Sequence, residues 1–263
     1  MPPRPAHLTL ALAAAGLSAA LAAPPAPQAE PGEAARNLAP NGDFEKGDVT
    51  PVGWQTVDGL TSFWVNDPDP RHGKVIKFDT DVYQTQAYDW WARIARGASP
   101  KDAPRKIPTR GDKYDTLAGL DGVWFWSDFI PVQQGKAYWL TLDARGPGPV
   151  MAWLVGYTKK GSTAFGADAA AFQEVLKDRV SGKPRPNKRN FEPFIHNYSW
   201  KGQLTAGPSG EWRTYARRKM PFRPTKPRPG FPPVHFVRVL VLPTWPPGEY
   251  YLDNVRLTEV EDE

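Results

Sequence analysis

Between residues 138 and 145 the chain alternates strictly. Tyr138, Leu140, Leu142 and Ala144 fall on one side, and Trp139, Thr141, Asp143 and Arg145 on the other. A period of two marks a strand with one buried face, and the preceding Gln134-Gly135 marks a turn. Runs of similar character, each bounded by Gly, Pro or Asp, predict further strands at 73–79, 81–88, 122–132, 149–157, 212–222, 234–242 and 249–259. Eight short strands with turn punctuation predict an all-β protein, an antiparallel β-sandwich.

Two stretches break this pattern and read as helical or loop insertions, at about 89–118 and 160–210. The first opens with a short helix over 89–96, N-capped by Asp89, and then turns basic and Pro-rich. The second holds a helix begun by Asp168, with Phe172, Val175, Leu176 and Val180 on one side and Gly182 as its stop. Residues 183–210 then read as polar loop with aromatic islands. Long excursions from a compact domain are often functional.

Residues 1–22 read as a signal peptide. Arg4 precedes an apolar run from Leu8 to Leu21, too short to span a bilayer, and Ala20-Leu21-Ala22 is a small-x-small cleavage pattern. Residues 23–36 form a Pro/Ala-rich linker, and 37–263 one domain. The expectation is a secreted or periplasmic protein with no membrane span in its mature form.

Composition narrows the chemistry. The chain has 263 residues, no Cys, 30 Pro and 23 Gly. Without Cys there is no disulfide framework, thiolate zinc site or Cys nucleophile, and so many prolines disfavour a helical bundle. With 33 Lys+Arg against 28 Asp+Glu the net charge is only +5. A dense basic loop, Lys183, Arg185, Lys188 and Arg189, is attached to no recognisable nucleic-acid module, so no nucleic-acid partner is expected.

The two ends of the domain carry the most specific signal. Asn37-Leu38-Ala39-Pro40-Asn41-Gly42-Asp43-Phe44-Glu45 and Pro51-Val52-Gly53-Trp54 open it, and Tyr250-Tyr251-Leu252-Asp253-Asn254-Val255-Arg256-Leu257 close it. Between them stand Ser127-Asp128-Phe129-Ile130-Pro131-Val132 and Gly135-Lys136-Ala137-Tyr138. Together these segments resemble carbohydrate-binding modules of the galactose-binding-domain-like, jelly-roll type. The pattern is also similar to exported proteins of planctomycete-like bacteria, which implies no activity. The module resemblance implies that the first and last strands lie side by side. It also implies a structural calcium ion where they meet, held by Glu45 and Asp253 with Asp43 nearby. Calcium takes 6–8 oxygen ligands, and such an ion would staple a domain that has no disulfide. The other reading is that Glu45 caps a turn and Asp253 bonds backbone N–H groups.

A glycan site needs rings to stack on the C–H faces of sugars and polar groups to read their hydroxyls. Trp124 and Trp126 are two apart and share a face. Trp153 and Tyr157 share one on the next strand. Trp139 is out of phase with the apolar set of its strand, and Trp245 lies in a Pro-bounded loop. Asp143, Arg145 and Gln86 are candidate polar partners. Trp90 and Trp91 flank the first insertion. The competing reading of each aromatic stripe is core.

Catalysis is the alternative class. Asp112, Asp115, Asp121 and Asp128 cluster in sequence, as a carboxylate pair for glycoside hydrolysis would require. His196, Tyr198 and Arg189, or His235, offer the base and charge neutraliser of a lyase. Nothing in the spacing distinguishes these from loop residues. The reading is a secreted, non-catalytic protein whose partner is a polysaccharide or glycan. An exported structural domain with a protein partner is the alternative of the same fold.

Overall fold

The computed structural model describes residues 36–111, 114–119, 122–133, 135–159, 194–205, 210–216, 222–223 and 234–260. Ten strands are described there: β1 Ser62–Asn66, β2 Lys74–Asp79, β3 Phe125–Trp126, β4 Ile130–Pro131, β5 Ala137–Arg145, β6 Pro149–Lys159, β7 Phe194–Thr205, β8 Arg213–Ala216, β9 Phe236–Pro243 and β10 Glu249–Val260. They form two antiparallel sheets, one in the order β1-β2-β10-β5-β8, the other β3-β9-β6-β7 with β4 also on β9. The expected antiparallel β-sandwich is what the chain adopts.

The alternation of β5 sets the core. Tyr138, Leu140, Leu142 and Ala144 are buried and join Ile76, Phe78, Tyr250 and Leu252 of their own sheet against Val150, Ala152, Leu154, Val237, Val239 and Val241 of the other. β10 keeps this face despite a change of phase. Tyr250 and Leu252 point inward at even numbers, Val255 and Leu257 at odd ones. The shift is a β-bulge between Asp253 and Arg256 against β5, with Asn254 at φ 49°. One extra residue reverses the inward set, which is what a bulge does.

β6 and β9 are apolar on both faces. Their second face forms a separate cluster of Trp153, Val155, Tyr157 and Leu240 with Trp126. This explains the near-continuous hydrophobic run Val239-Leu240-Val241-Leu242, which carries no alternation because neither side is solvated.

The end motifs resolve into a clamp. Asn37 accepts from Leu257 N at 3.0 Å and donates to Val255 O at 3.0 Å, while Leu38 N donates to Leu257 O at 2.8 Å. Val255 N donates to Gly42 O at 2.8 Å, and a Cβ on Gly42 would collide with the Val255 carbonyl. Asn41, at φ 43°, closes the turn by accepting from Lys46 N. Trp54 donates its indole N–H to Pro40 O at 2.7 Å, lies 5.0 Å from the Phe44 ring and stacks on Phe125. The opening segment therefore lies beside the last strand, as the resemblance implied.

Six expectations are corrected. The strand expected at 81–88 and the helix expected at 89–96 are replaced by one helix, α1 Gln84–Ile94, whose preceding residue Tyr83 makes no side-chain cap. Asp89 is not its N-cap but an exposed residue 3.9 Å from Arg93. The helix wins because Ala87, Trp90, Trp91 and Ile94 fall on one stripe and pack on the core. The run 122–132 is two short strands that reach β9 separately, and 212–222 yields only β8 and a bridge from Phe222 to Tyr138. The loop expected over 183–210 contains β7, paired along β6 from Pro149↔Thr205 to Lys159↔Phe194. Its polar residues hid the strand from a reading based on apolar alternation. The helix expected from Asp168 lies outside the described residues, as do Asp112, Asp121, Arg189 and the basic loop at 183–189. Among the described residues no helix is long and apolar enough to cross a membrane.

Candidate functional site

The residues expected to bind a glycan fall into three places. Trp124, Trp126, Trp153 and Tyr157 do come together, on the outer face of the β3-β9-β6 sheet. Trp124 lies 6.2 Å from Trp126 and 6.3 Å from Trp153, and Phe129 meets Tyr157 edge-on at 5.0 Å. Arg238 sits among them, its guanidinium 5.0 Å from the Trp126 ring and 5.2 Å from Phe129, with Nε donating to Ser127 O. Burial pulls its pKa below the usual arginine value. Trp126 is 9% exposed, Trp153 7% and Tyr157 0%. A sugar needs an open ring face, and these three rings offer none.

The second place is the outer face of the other sheet, where Trp139, Asp143 and Arg145 point away from the core as their phase required. Asp143 accepts from Thr214 Oγ1 at 2.6 Å and Asn254 Nδ2 at 2.8 Å. Arg145 pairs with Asp67 at 2.6 Å and lies 4.1 Å over the Tyr251 ring and 5.1 Å from Trp212. Trp212 stacks on His72 at 4.0 Å, and His72 Nδ1 bonds Asp253 Oδ2 at 2.8 Å. These contacts link the groups across the sheet but leave Arg145 Nε, Trp212 Nε1 and Asp253 Oδ1 buried without a hydrogen-bond partner. The Trp139 indole N–H is buried and donates to nothing.

The carboxylates expected to hold calcium do not converge. Asp43 is exposed, Glu45 Oε1 accepts from Lys74 N at 2.7 Å, and Asp253, 1% exposed, is bonded to the His72 imidazole. Among the described residues no three His, Asp or Glu side chains form a metal-holding group. His72 takes one Asp253 oxygen and Lys74 N one Glu45 oxygen, and although Asp253 Oδ1 is buried without a partner, the described side chains supply too few oxygens for an ion that demands 6–8. Exhaustive chelation is therefore expected to leave the melting temperature unchanged, and a fall that calcium reverses would contradict this.

Burial pushes the Asp253 carboxyl up, to about 7, with the His72 bond acting the other way. The folded chain then holds this proton where the unfolded chain has released it. Its contribution to stability is complete below the ordinary value of 3.8 and is lost as pH rises through about 7. Asp253→Asn should flatten the decline in melting temperature between those limits. Equal slopes for variant and wild type would refute the assignment.

The third place is the end of the sandwich where β9 turns into β10. Trp245 is 37% exposed and Tyr114 71%. Their rings stack at 4.9 Å with planes 13° apart. Trp245 is held by its loop: Tyr250 OH donates to Pro246 O at 2.7 Å, and the Thr80 hydroxyl and Gly248 bond each other. Tyr114 is held by the helix: Gln84 N donates to Asp115 O at 3.0 Å, and Tyr83 bridges Thr116. Trp245 was among the expected residues and Tyr114 was not. The signal was available, since Tyr114 is a lone aromatic in the polar stretch 109–116.

Other candidates are committed elsewhere. Gln86 lies on α1, not on a strand, and ties down Arg105 O and Ile107 N. Trp90 and Trp91 both donate to Asp58, at 2.7 and 2.6 Å. His235 stands just before β9 with its backbone N–H donating to Tyr157 O at 2.9 Å, and its ring Nδ1 is buried without a hydrogen-bond partner.

No family model matches this chain, and no curated protein matches it. Solved structures do. The chain is similar to the enzymatically active domain of tailspike protein 4 of bacteriophage CBA120 (12% identity, TM-score 0.42, 85% of this chain and 21% of that one). It is similar to a CBM61 module solved with β-1,4-galactotriose (12%, TM-score 0.40, 86% and 99%). It is also similar to a CBM22 xylan-binding domain from Paenibacillus barcinonensis (9%, TM-score 0.37, 88% and 99%). The chain thus spans about a fifth of the tailspike domain and nearly all of either module.

Proposed function

We propose that this is an exported, non-catalytic protein that binds a polysaccharide on the open face of Tyr114, with Trp245 as the rigid floor beneath it. The observation that carries this reading is the stacked pair at 4.9 Å, with Tyr114 71% exposed. A ring left in water at a loop end gains nothing from burial, whereas a sugar laid on it removes apolar surface from both partners. Trp245 fixes the tyrosine plane before the ligand arrives, which lowers the ordering cost of binding. Loops at the end of a sandwich are positioned by a rigid scaffold, here through the Thr80–Gly248, Tyr250–Pro246 and Gln84–Asp115 bonds. Export is part of the proposal and rests on reading residues 1–22 as a signal peptide.

The test is affinity electrophoresis of the full chain through gels cast with single polysaccharides, neutral and acidic. Retardation by at least one polymer, diminished in Tyr114→Ala, supports the reading. Unchanged mobility in every gel ends it.

A further inference from the structure

Resting on that reading, we infer that the polysaccharide is an acidic one, bearing carboxylate or sulfate groups, and that the excursion between β2 and β3 supplies the cations that meet them. Residues 84–111 carry Arg93, Arg96, Lys101, Arg105, Lys106 and Arg110 against only Asp89 and Asp102, a surplus of four. This basic segment runs directly up to Tyr114.

Two of the six cations are already answered. Lys106 bonds Asp79 at 2.7 Å and Asp81 at 3.3 Å, and Arg93 faces Asp89. Arg96, Lys101, Arg105 and Arg110 are exposed, and among the described residues they form no ion pair.

The placement of Arg105 and Arg110 is specific. Gln86 accepts from Ile107 N at 3.1 Å and donates to Arg105 O at 2.8 Å, and the Thr109 hydroxyl bonds Asp81. The stretch 105–109 is thereby strapped along the first turns of α1, with an exposed arginine at either end. The same helix start holds the Tyr114 loop through Gln84 and Asp115. Like charges within a Debye length, ~8 Å in physiological salt, repel one another, and a polymer with regularly spaced anions relieves this along its length. Arginine suits the task because its planar fork meets carboxylate or sulfate oxygens with two hydrogen bonds. Tyr114 then takes a sugar face while the strap takes the charges of neighbouring residues in the polymer.

The test uses the full chain in gels containing pectate, dextran sulfate, unsulfated dextran, galactan or double-stranded DNA. We expect retardation by pectate or dextran sulfate and none by the neutral polymers, and whichever acidic gel retards identifies carboxylate or sulfate as the partner. The dissociation constant should rise at least about tenfold between about 50 and about 300 mM salt. Arg105→Gln/Arg110→Gln should weaken binding about tenfold with an unchanged melting temperature, and Tyr114→Ala should weaken it too. Retardation by dextran or galactan alone leaves the glycan reading standing and overturns the acidic one. No retardation anywhere overturns both. Binding to DNA as strong as to the acidic glycan, or acidic binding indifferent to Tyr114→Ala, reduces the strap to an ion exchanger and also overturns the inference.

Discussion

Phe44→Ala is expected to lower stability by about 3–5 kcal/mol, and with it the melting temperature by roughly 10 °C. Phe44 is fully buried, its ring lies 5.0 Å from Trp54, and it sits at φ 53° in the turn that brings the opening segment against β10. Its carbonyl accepts the Trp64 indole N–H at 2.8 Å, so the residue joins the clamp to β1 as well. Alanine would leave a cavity without relieving the left-handed backbone, because alanine too disfavours positive φ. A thermal melt followed by near-UV circular dichroism measures the loss, since the surrounding tryptophans report on packing. A loss below about 1 kcal/mol would mean that the clamp is incidental to the fold.

Tyr114→Ala is expected to weaken glycan binding about tenfold or more, with little change in melting temperature, because the ring is exposed and supports nothing above it. Trp245→Ala should do the same by removing the floor of the stack. Trp126→Ala should show the opposite profile. Its ring is 9% exposed and packs with Trp124 and Arg238, so the variant should lose stability and keep its affinity. Titration calorimetry beside a thermal melt separates the two behaviours. Lost affinity in Trp126→Ala with full affinity in Tyr114→Ala would move the site to the sheet face.

The sandwich was legible because its evidence is local and repeated. The alternation of 138–145 gave β5 within a residue, and the shift of inward phase in β10 is written in the spacing of Leu252 and Val255 across Asp253-Asn254. Residues 81–88 misled because Val82, Tyr83 and Thr85 favour strands, whereas the stripe of Ala87, Trp90, Trp91 and Ile94 is visible only over a longer window. β7 was missed because its partner β6 supplies the apolar register and β7 itself is rich in polar residues.

The site was less legible. Sharing a face was correctly read for Trp124 and Trp126, but whether that face is open depends on what packs over it, which no spacing encodes. The His72–Asp253 bond joins residues 181 apart, a pairing that no spacing in the sequence encodes. Tyr114 and Trp245, more than a hundred residues apart in sequence, are brought together only by the meeting of two loops at one end of the sandwich.

The most direct test of the glycan site is limited tryptophan oxidation, read by peptide mass spectrometry with and without the polysaccharide that retards the chain. Trp245 should oxidise ahead of Trp54, Trp90, Trp126 and Trp153, which are all 9% exposed or less, and the bound polysaccharide should protect it. Protection at Trp126 or Trp153 with Trp245 still reactive would contradict the placement of the glycan on the Tyr114–Trp245 pair.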